Sequence, residues 1–175
     1  MPSFDSIIAE ASALCTEYID QFLPSADSEP KRLHQAMRYS VFAGGKRLRP
    51  ALLLACSRAL GGKDQDCLPL MAAVEMLHTY TLVHDDLPAM DDDDTRRGQA
   101  ACHIAYDEAT AILCGDALLT AAMACIAQHS TTAVTLLADA CGSLGVVGGQ
   151  QDDLDAEDHV IGAGSEELLL RIHSR

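Results

Sequence analysis

Apolar residues recur at steps of three and four along most of this chain, the spacing that places side chains on one face of an α-helix. Prolines and glycine pairs interrupt these stripes, as they commonly do at helix ends. Together the stripes and breaks predict helices over about residues 4–22, 31–43, 50–60, 68–87, 107–128, 132–154 and 165–175. No segment alternates apolar and polar residues convincingly over the length of a strand. The pattern therefore predicts an all-α protein, built as a helical bundle.

The predicted helix at 68–87 differs from the others because it is long, largely apolar and free of glycine. Pro88 is its expected terminator, since proline disfavours a helical conformation in the residue before it. A helix without a clear polar face is buried on most sides, so we expect this one at the centre of the bundle. No repeat, low-complexity tract or long linker divides the sequence, which predicts one domain over residues 1–175.

Composition and charge narrow the function classes. Hydrophobic residues make up 49% of the chain and aromatic residues only 4%, so we expect an aliphatic core. The formal net charge of −14 argues against a nucleic-acid partner and against an anionic membrane surface, because both select basic faces. The seven cysteines form no CxxC pair and lie in apolar stretches, which favours buried thiols in a reducing compartment. Without a basic leader or a run approaching about 18 apolar residues, we expect a cytoplasmic protein with no membrane span.

Six carboxylates fall within ten residues at the end of the long predicted helix, at Asp85, Asp86 and positions 91–94. A helix C-terminus is partially negative, so each acidic group there costs about 0.3–1 kcal/mol before mutual repulsion is counted. A divalent cation would reverse that cost, and Mg²⁺ binds through one or two carboxylates together with substrate phosphates. A solvated acidic loop is the alternative. An EF-hand is excluded, because Arg96 would take the place of its turn glycine and Cys102 that of its bidentate glutamate.

Two basic segments indicate anion binding. Lys46, Arg47 and Arg49 follow a glycine pair and lie at the start of a predicted helix, whose first N–H groups are already partially positive. An anion such as diphosphate would relieve this repulsion, with the basic side chains closing around it, although the segment does not match a Walker A site. Arg96 and Arg97 follow the aspartate run directly, either as phosphate donors or as simple neutralisation of its charge.

His78 is a further candidate for the same site. It lies seven residues before Asp85, about two helical turns, so the two side chains share one face of the helix. A lone histidine on an apolar helix is more often a satisfied core residue, and that alternative stays open at this point.

Five segments together resemble the trans-isoprenyl diphosphate synthases in order and spacing. They are GGKRLRP at 44–50, EMLHTYTLVHDDLPAMD at 75–91, DDDTRRG at 92–98, EATAILCGDALL at 108–119 and GGQQDDLDAE at 148–157. The six-residue step from Asp85 to Asp91 is similar to the family's first aspartate-rich motif in its bacterial form. The set as a whole resembles the N-terminal portion of the farnesyl diphosphate synthases (geranyltranstransferases). Terpene cyclases also carry aspartate-rich helices, but they lack the GGKRxRP and RRG pair.

The resemblance implies an isoprenoid (terpenoid) synthase helical bundle, here without its C-terminal helices. It implies a prenyltransferase that condenses isopentenyl diphosphate with dimethylallyl or geranyl diphosphate in the presence of Mg²⁺ or Mn²⁺, and we expect a homodimer. By the same resemblance the metal ligands are Asp85, Asp86 and Asp91, and the catalytic groups at the allylic diphosphate are Asp85, Asp91 and Arg96. The implied substrate-binding residues are Lys46, Arg49, His78, Arg96 and Arg97.

Product length in this family depends on the helix that carries the first aspartates. Tyr80 and Thr81 lie five and four residues before Asp85, where an aromatic ring blocks the growing tail and a small residue leaves the tunnel open. The resemblance therefore implies a C15 product, farnesyl diphosphate, with Tyr80 as the floor of the pocket. A geranylgeranyl diphosphate synthase is one alternative, and Tyr80 as a simple packing residue is another.

The family's second aspartate-rich motif and its Lys-Thr pair find no match in this chain. The aspartates in GGQQDDLDAE are not that motif, since Gln150 and Asp153 match a different helix of the family. We therefore expect only one bank of the metal site here, and no catalysis by the 175-residue chain alone. The alternative is a truncated, non-catalytic prenyl-synthase-like protein that binds diphosphates or acts as a regulatory subunit.

Overall fold

Helices form nearly all the regular structure in the computed structural model, which describes residues 3–157 and 165–174. They are α1 (Phe4–Phe22), α2 (Lys31–Val41), α3 (Leu48–Ala59), α4 (Asp64–Asp85), α5 (Cys102–Ala105), α6 (Glu108–Ala127), α7 (Thr131–Cys141), α8 (Val146–Glu157) and α9 (Ser165–His173). Two short strands, β1 (Thr95–Arg96) and β2 (Gln99–Ala100), pair antiparallel between α4 and α5. The all-α fold class is confirmed. The hairpin and α5 are too short to leave a periodic signal in the sequence.

Several helices begin where the sequence supplies a capping side chain. The Ser3 hydroxyl accepts a hydrogen bond from the Ser6 amide at the start of α1, and the Asp107 carboxylate accepts one from the Thr110 amide at the start of α6. Each cap satisfies one of the amides that the first helical turn leaves unpaired. These polar residues therefore fix where the two helices begin.

The chain divides into two compact units, Met1–His129 and Ser130–Arg175. In the first unit α4 packs against α6, α3, α1 and α2. Its fully buried apolar side chains form an aliphatic core with residues of the neighbouring helices, among them Ile19, Leu54, Met71, Met76, Leu118 and Ile126. The predicted central position of this helix is confirmed. It begins four residues before its predicted start at Leu68, because Asp64 and Asp66 place negative charge in its first turn.

The second unit contains α7, α8 and α9. The helical stretch predicted over 132–154, with glycine interruptions, is two helices in the structure, separated by residues 142–145. A Cβ on Gly145 would collide with the carbonyl oxygen of Ala140, so glycine permits this close turn. Arg171 of α9 forms an ion pair with Asp152 of α8 at 3.2 Å. Asp153 is exposed and Gln150 half-buried in the same helix.

Burial of the cysteines agrees with the prediction for five of the seven. The buried thiols are those of Cys15, Cys67, Cys102, Cys114 and Cys125, whereas Cys56 is exposed and Cys141 is half-buried. Burial raises the pKa of the Cys15 thiol to about 12 and that of Cys125 to about 11. These two thiols are therefore unreactive at neutral pH and serve as small apolar groups.

Two helical stretches of the described residues are long and apolar enough to cross a membrane by length and composition, Glu108–Ala127 and Thr131–Ala156. No stretch of this kind was expected from the sequence. Of the most apolar window, 44% is buried inside the protein in the first stretch and 17% in the second. Two such helices are weak evidence for a membrane protein, and the absence of a membrane span stays a prediction.

Candidate active site

The loop that follows α4 folds back onto the acidic end of the helix. Asp85 is the last residue of α4, and the amide of Asp91 donates a hydrogen bond to the Asp85 carbonyl oxygen at 2.8 Å. The amide of Asp92 donates to the carbonyl of Leu87 at 3.2 Å, with Asp92 itself in the left-handed region at φ 53°. The six-residue step between Asp85 and Asp91 therefore becomes a close pair in space.

This pair is electrostatically unfavourable in the absence of a cation. Burial, and next the negative charge of Asp91, raise the pKa of the Asp85 carboxyl to about 6, although Arg96 opposes the shift. A carboxyl whose ionisation is disfavoured by burial and by a neighbouring carboxylate suits a hard divalent cation such as Mg²⁺, which prefers oxygen ligands. Within residues 3–157 and 165–174, no group of three or more His, Cys, Asp or Glu side chains is placed to hold a metal ion. The pair would therefore share the metal with water or with substrate oxygens.

Asp86 has different surroundings from Asp85. Its side chain is only 3% exposed and accepts a hydrogen bond from Arg96 Nε at 2.8 Å, with a second, closer contact from the same guanidinium. Arg96 also forms an ion pair with Asp93 at 2.9 Å. The structure thus gives part of the aspartate run a neutralising partner, which was one of the alternatives. Asp86 is the counter-ion of Arg96 here, and its role as a metal ligand stays a prediction.

The β-hairpin directs its two arginines to different places. Arg97 and Gly98 form the turn with positive φ angles of 55° and 83°, the backbone typical of a two-residue hairpin connection. Arg96 contacts the end of α4, whereas the Arg97 guanidinium donates to the carbonyl of Gly44. A Cβ on Gly45 would lie 2.5 Å from Arg97 Nη1, so the glycine makes room for the guanidinium. The RRG and GGKRLRP segments therefore meet, 53 residues apart in sequence.

Within the GGKRLRP segment, one of the three cations points inward. We expected Lys46, Arg47 and Arg49 to close around an anion together. Instead Arg47 is only 5% exposed and donates to Glu75 Oε1 and to the Val41 carbonyl oxygen, each at 2.5 Å. Lys46 and Arg49 are exposed. The expectation is therefore wrong for Arg47 and holds for the exposure of its two neighbours.

His78 lies one helical turn after Glu75 and is half-buried. Burial is the largest of the effects that lower the pKa of the His78 imidazole, and the positive charges of Arg49 and Arg97 lower it further. The negative charge of Glu75 opposes this shift. Burial likewise lowers the pKa of the Arg97 guanidinium, again with Glu75 opposing. The predicted residues Arg49, His78 and Arg97 are thus close enough to repel one another, and an anion among them would relieve that repulsion.

A small cavity of about 30 Å³ lies between the hairpin, α2 and α4. Its charged wall is formed by Asp86, Arg96 and Arg97, and its other walls include Tyr39, Val83 and Cys102. The volume suffices for one or two water molecules. The cavity therefore provides no room for a prenyl tail in this part of the chain.

The proposed chain-length residues, Tyr80 and Thr81, lie on α4 one to two helical turns before Asp85. Tyr80 is 7% exposed and meets the His84 ring edge to face, with ring centroids 5.8 Å apart. His84 Nε2 lies 3.0 Å from the carbonyl oxygen of Ile112 in α6. Thr81 donates its hydroxyl to the His78 carbonyl oxygen at 2.9 Å. Tyr80 is therefore held in place, while its role as the pocket floor stays a prediction.

Three residues of this region, Glu75, His84 and Gly115, have structural roles that were not expected from the sequence. A Cβ on Gly115 would overlap the His84 ring, so this glycine lets α4 and α6 approach. Two of them could have been found from the sequence. Glu75 is a carboxylate within an otherwise apolar helix, and such a group must be paired when it is buried. Gly115 is a single glycine inside a long apolar helix. All three residues belong to segments whose overall resemblance was recognised.

Residues 30–175 match the family model for polyprenyl synthetase. The chain belongs to the polyprenyl synthetase family. Among its relatives, the farnesyl diphosphate synthase of Micrococcus luteus is 53% identical over 132 residues, which are 72% of this chain and 45% of that protein. The heterodimeric geranylgeranyl pyrophosphate synthase large subunit 1 of Arabidopsis thaliana is 42% identical over 167 residues, which are 89% of this chain and 44% of that protein.

Among solved structures, an FPP/GFPP synthase from Zymomonas mobilis superimposes with a TM-score of 0.87 at 33% identity. The likeness covers 97% of this chain and 65% of that chain. The isoprenoid synthase fold that the resemblance implied is therefore confirmed, as is the resemblance itself. This member of the polyprenyl synthetase family spans a little under half the length of the two curated relatives.

Proposed function

We propose that this chain forms one side of the active site of a metal-dependent prenyltransferase. This enzyme would make farnesyl diphosphate from isopentenyl diphosphate and an allylic diphosphate. The observation that supports the proposal best is the arrangement of the RRG turn. It has the acidic pair Asp85 and Asp91 near Arg96 on one side, and the basic loop with His78 near Arg97 on the other. One short hairpin thus separates an acidic site, which would bind a diphosphate through a metal ion, from a basic site, which would bind a second diphosphate directly.

On the acidic side, Asp85 and Asp91 would hold Mg²⁺ and Arg96 would lie next to the allylic diphosphate. When bound, Mg²⁺ supplies positive charge that stabilises the departing diphosphate. Arg96 contributes a fixed guanidinium whose orientation is set by Asp86 and Asp93. A donor that is already oriented needs no reorganisation as negative charge develops on the leaving group.

On the basic side, Lys46, Arg49, His78 and Arg97 would bind the diphosphate of isopentenyl diphosphate. The lowered pKa of the His78 imidazole keeps this side chain neutral without an anion, so it can donate one ring N–H in a hydrogen bond. Arg97 is anchored on the Gly44 carbonyl. These groups position the second substrate and need not move a proton.

The test is a chimera that joins this chain to the remaining length of the Micrococcus luteus relative. We expect it to condense isopentenyl diphosphate with dimethylallyl or geranyl diphosphate only when Mg²⁺ or Mn²⁺ is supplied. Turnover that persists in excess chelator would contradict the metal assignment. An inactive chimera that still binds diphosphates would instead support the non-catalytic alternative.

Geranylgeranyl diphosphate synthesis is the second candidate, because the Arabidopsis thaliana relative with that name is 42% identical to this chain. The presence of Tyr80 close before Asp85 favours the shorter product. Chromatography of the hydrolysed products distinguishes C15 from C20. A predominantly C20 profile would replace farnesyl diphosphate as the proposed product.

A further inference from the structure

Arg47 occupies the junction between the basic loop and α3. It is the N-cap residue of α3 and adopts a left-handed backbone, with φ 48° and ψ 40°. This conformation is uncommon for a residue other than glycine and persists only where surrounding contacts stabilise it. Here it turns the Arg47 side chain inward, whereas Lys46 and Arg49 remain exposed.

Arg47 connects three helices through its guanidinium and its backbone carbonyl. One nitrogen of Arg47 donates to Glu75 of α4 and another to the carbonyl of Val41, the last residue of α2, while its own carbonyl accepts from Ala51 of α3 at 3.1 Å. Both members of the ion pair have side chains only 3% exposed. A buried pair is retained at a substantial desolvation cost, and one documented benefit of such pairs is to specify a unique arrangement.

Glu75 also places a negative charge beneath the basic cluster. It opposes the lowering of the pKa of both His78 and Arg97, so it interacts electrostatically with each of them. His78 is three residues further along α4, on the same side of the helix as Glu75. The contact that holds the loop is thus made one turn away from a predicted anion ligand.

We propose that Arg47 and Glu75 are positioning residues, whose buried ion pair fixes the loop of residues 44–49 against α4 so that Lys46 and Arg49 stand beside His78 before a diphosphate arrives. Neither residue contacts the anion. A loop that is already ordered loses less conformational freedom on binding, which strengthens affinity without adding a contact. This inference rests on the proposed function only for the identity of the anion.

The experiment measures binding of inorganic pyrophosphate to the 175-residue chain by titration calorimetry, without metal. The principal variant is Arg47→Met with Glu75→Leu, which removes one positive and one negative charge and leaves the net charge at −14. Replacing both partners of a buried pair by apolar residues is often tolerated. We expect a folded protein whose pyrophosphate affinity falls at least about tenfold.

Arg47→Lys is the second variant, because it keeps the positive charge. A lysine ammonium lacks the planar guanidinium of arginine, so it cannot bond to Glu75 and to the Val41 carbonyl at the same time. We expect at least about a threefold loss of affinity. Arg58→Lys is the matched control, since Arg58 also bridges two carboxylates, Glu10 and Asp64, but away from the loop. It should leave pyrophosphate affinity unchanged.

Hydrogen exchange separates positioning from general stability. In the double variant we expect faster amide exchange at residues 44–49 and unchanged protection in the middle of α4 and α6. A folded double variant with wild-type affinity would overturn the inference, and so would failure of both Arg47 variants to fold, which would make the pair a purely structural requirement.

The two proposals fail in different ways. If the wild-type chain binds pyrophosphate and the folded variants bind it equally well, the positioning role is wrong and the proposed function is untouched. If the variants lose binding but the chimera transfers no prenyl group, the positioning role stands and the proposed function is wrong. A wild-type chain that binds no pyrophosphate would remove the anion site that both require.

Discussion

Asp85 illustrates how single residues in this chain are placed against their own electrostatic preference. It lies at the negative end of α4, and burial together with the negative charge of Asp91 raises the pKa of its carboxyl to about 6. His78 is placed similarly among cations. Such sites cost stability without a ligand and are frequent where charged ligands bind. We therefore expect substitutions here to affect activity more than folding.

Replacing Asp85 or Asp91 with Ala in the chimera should reduce turnover at least about a hundredfold, an effect of about 3 kcal/mol, because a group supporting charge on the leaving diphosphate is lost. Steady-state kinetics at saturating metal would measure the loss. Asp93→Ala and Asp94→Ala are the comparison variants and should lose less, because the loop folds Asp91, and neither of these two residues, back onto Asp85 by a backbone hydrogen bond. Equal losses in all four variants would indicate a generic acidic surface.

Tyr80→Ala in the chimera should shift the product from C15 toward C20, because removing the ring opens space for at least one more five-carbon unit. Product chromatography gives the result directly. Tyr106→Ala is a suitable control, because Tyr106 also forms an edge-to-face ring pair but with Tyr39 of α2 and not with a residue of α4. An unchanged C15 profile for Tyr80→Ala would place length control elsewhere.

At the level of elements, α4 and α6 depend on one glycine for their close approach. A methyl group at Gly115 would overlap the His84 ring, whose Nε2 meets the Ile112 carbonyl at 3.0 Å. Gly115→Ala should therefore lower the free energy of unfolding by about 1–3 kcal/mol, because the cost of overpacking exceeds the roughly 1 kcal/mol gain in helix propensity. Urea unfolding monitored by circular dichroism measures the change.

The control for this prediction is the double variant His84→Ala with Gly115→Ala. Once the imidazole is removed, the added methyl has space, so Gly115→Ala should be neutral or stabilising in the His84→Ala background. A Gly115→Ala penalty of the same size in both backgrounds would show that the collision with His84 is not its cause.

Helices α1, α3 and α4 are connected at one end by Arg58, which forms hydrogen bonds of 2.7–2.9 Å with Glu10 and Asp64. The hydrogen bonds from Arg58 hold the pKa of both carboxyls below the usual range, against a smaller opposing effect of burial. A lowered folded pKa contributes stability above the unfolded pKa, and that stability is lost as pH falls through the folded value.

Arg58→Met should therefore flatten the dependence of unfolding free energy on pH in the acid range, from about pH 4.5 downward. Urea unfolding at a series of pH values for wild type and variant tests this. Because the network is largely exposed, its effect should also weaken in high salt. An unchanged acid slope in the variant would mean that other carboxylates dominate acid unfolding.

For the whole molecule, all the described anion-binding candidates lie in the unit Met1–His129, and the family's second aspartate-rich motif and Lys-Thr pair find no match in the sequence. We therefore expect the 175-residue chain to bind inorganic pyrophosphate yet to transfer no prenyl group. A radiolabelled isopentenyl diphosphate assay of the chain, with the chimera as positive control, checks this. Measurable synthase turnover by the chain alone would contradict the prediction.

Periodicity along the chain was sufficient for the fold class and for most helix positions, because the stripe on a helix such as α1 is a local property. Glycine interruptions were expected within 132–154, but their positions alone did not fix the break between α7 and α8, since it depends on Gly145 approaching the carbonyl of Ala140. The charged segments were also visible in the sequence, because clustered aspartates and arginines are unfavourable unless a partner or ligand compensates them.

The partner of each charged side chain became known only from the folded chain. Arg47 and Arg49 are two residues apart, yet Arg47 is buried against Glu75, 28 residues away, and Arg49 is exposed. Arg96 and Arg97 are adjacent, yet one pairs with Asp86 and the other reaches Gly44. Backbone dihedral angles and distant helices select between these outcomes. Composition and spacing carry no information on backbone dihedral angles or on which distant helix lies nearby. They therefore identify the charged residues of this site but not their individual roles.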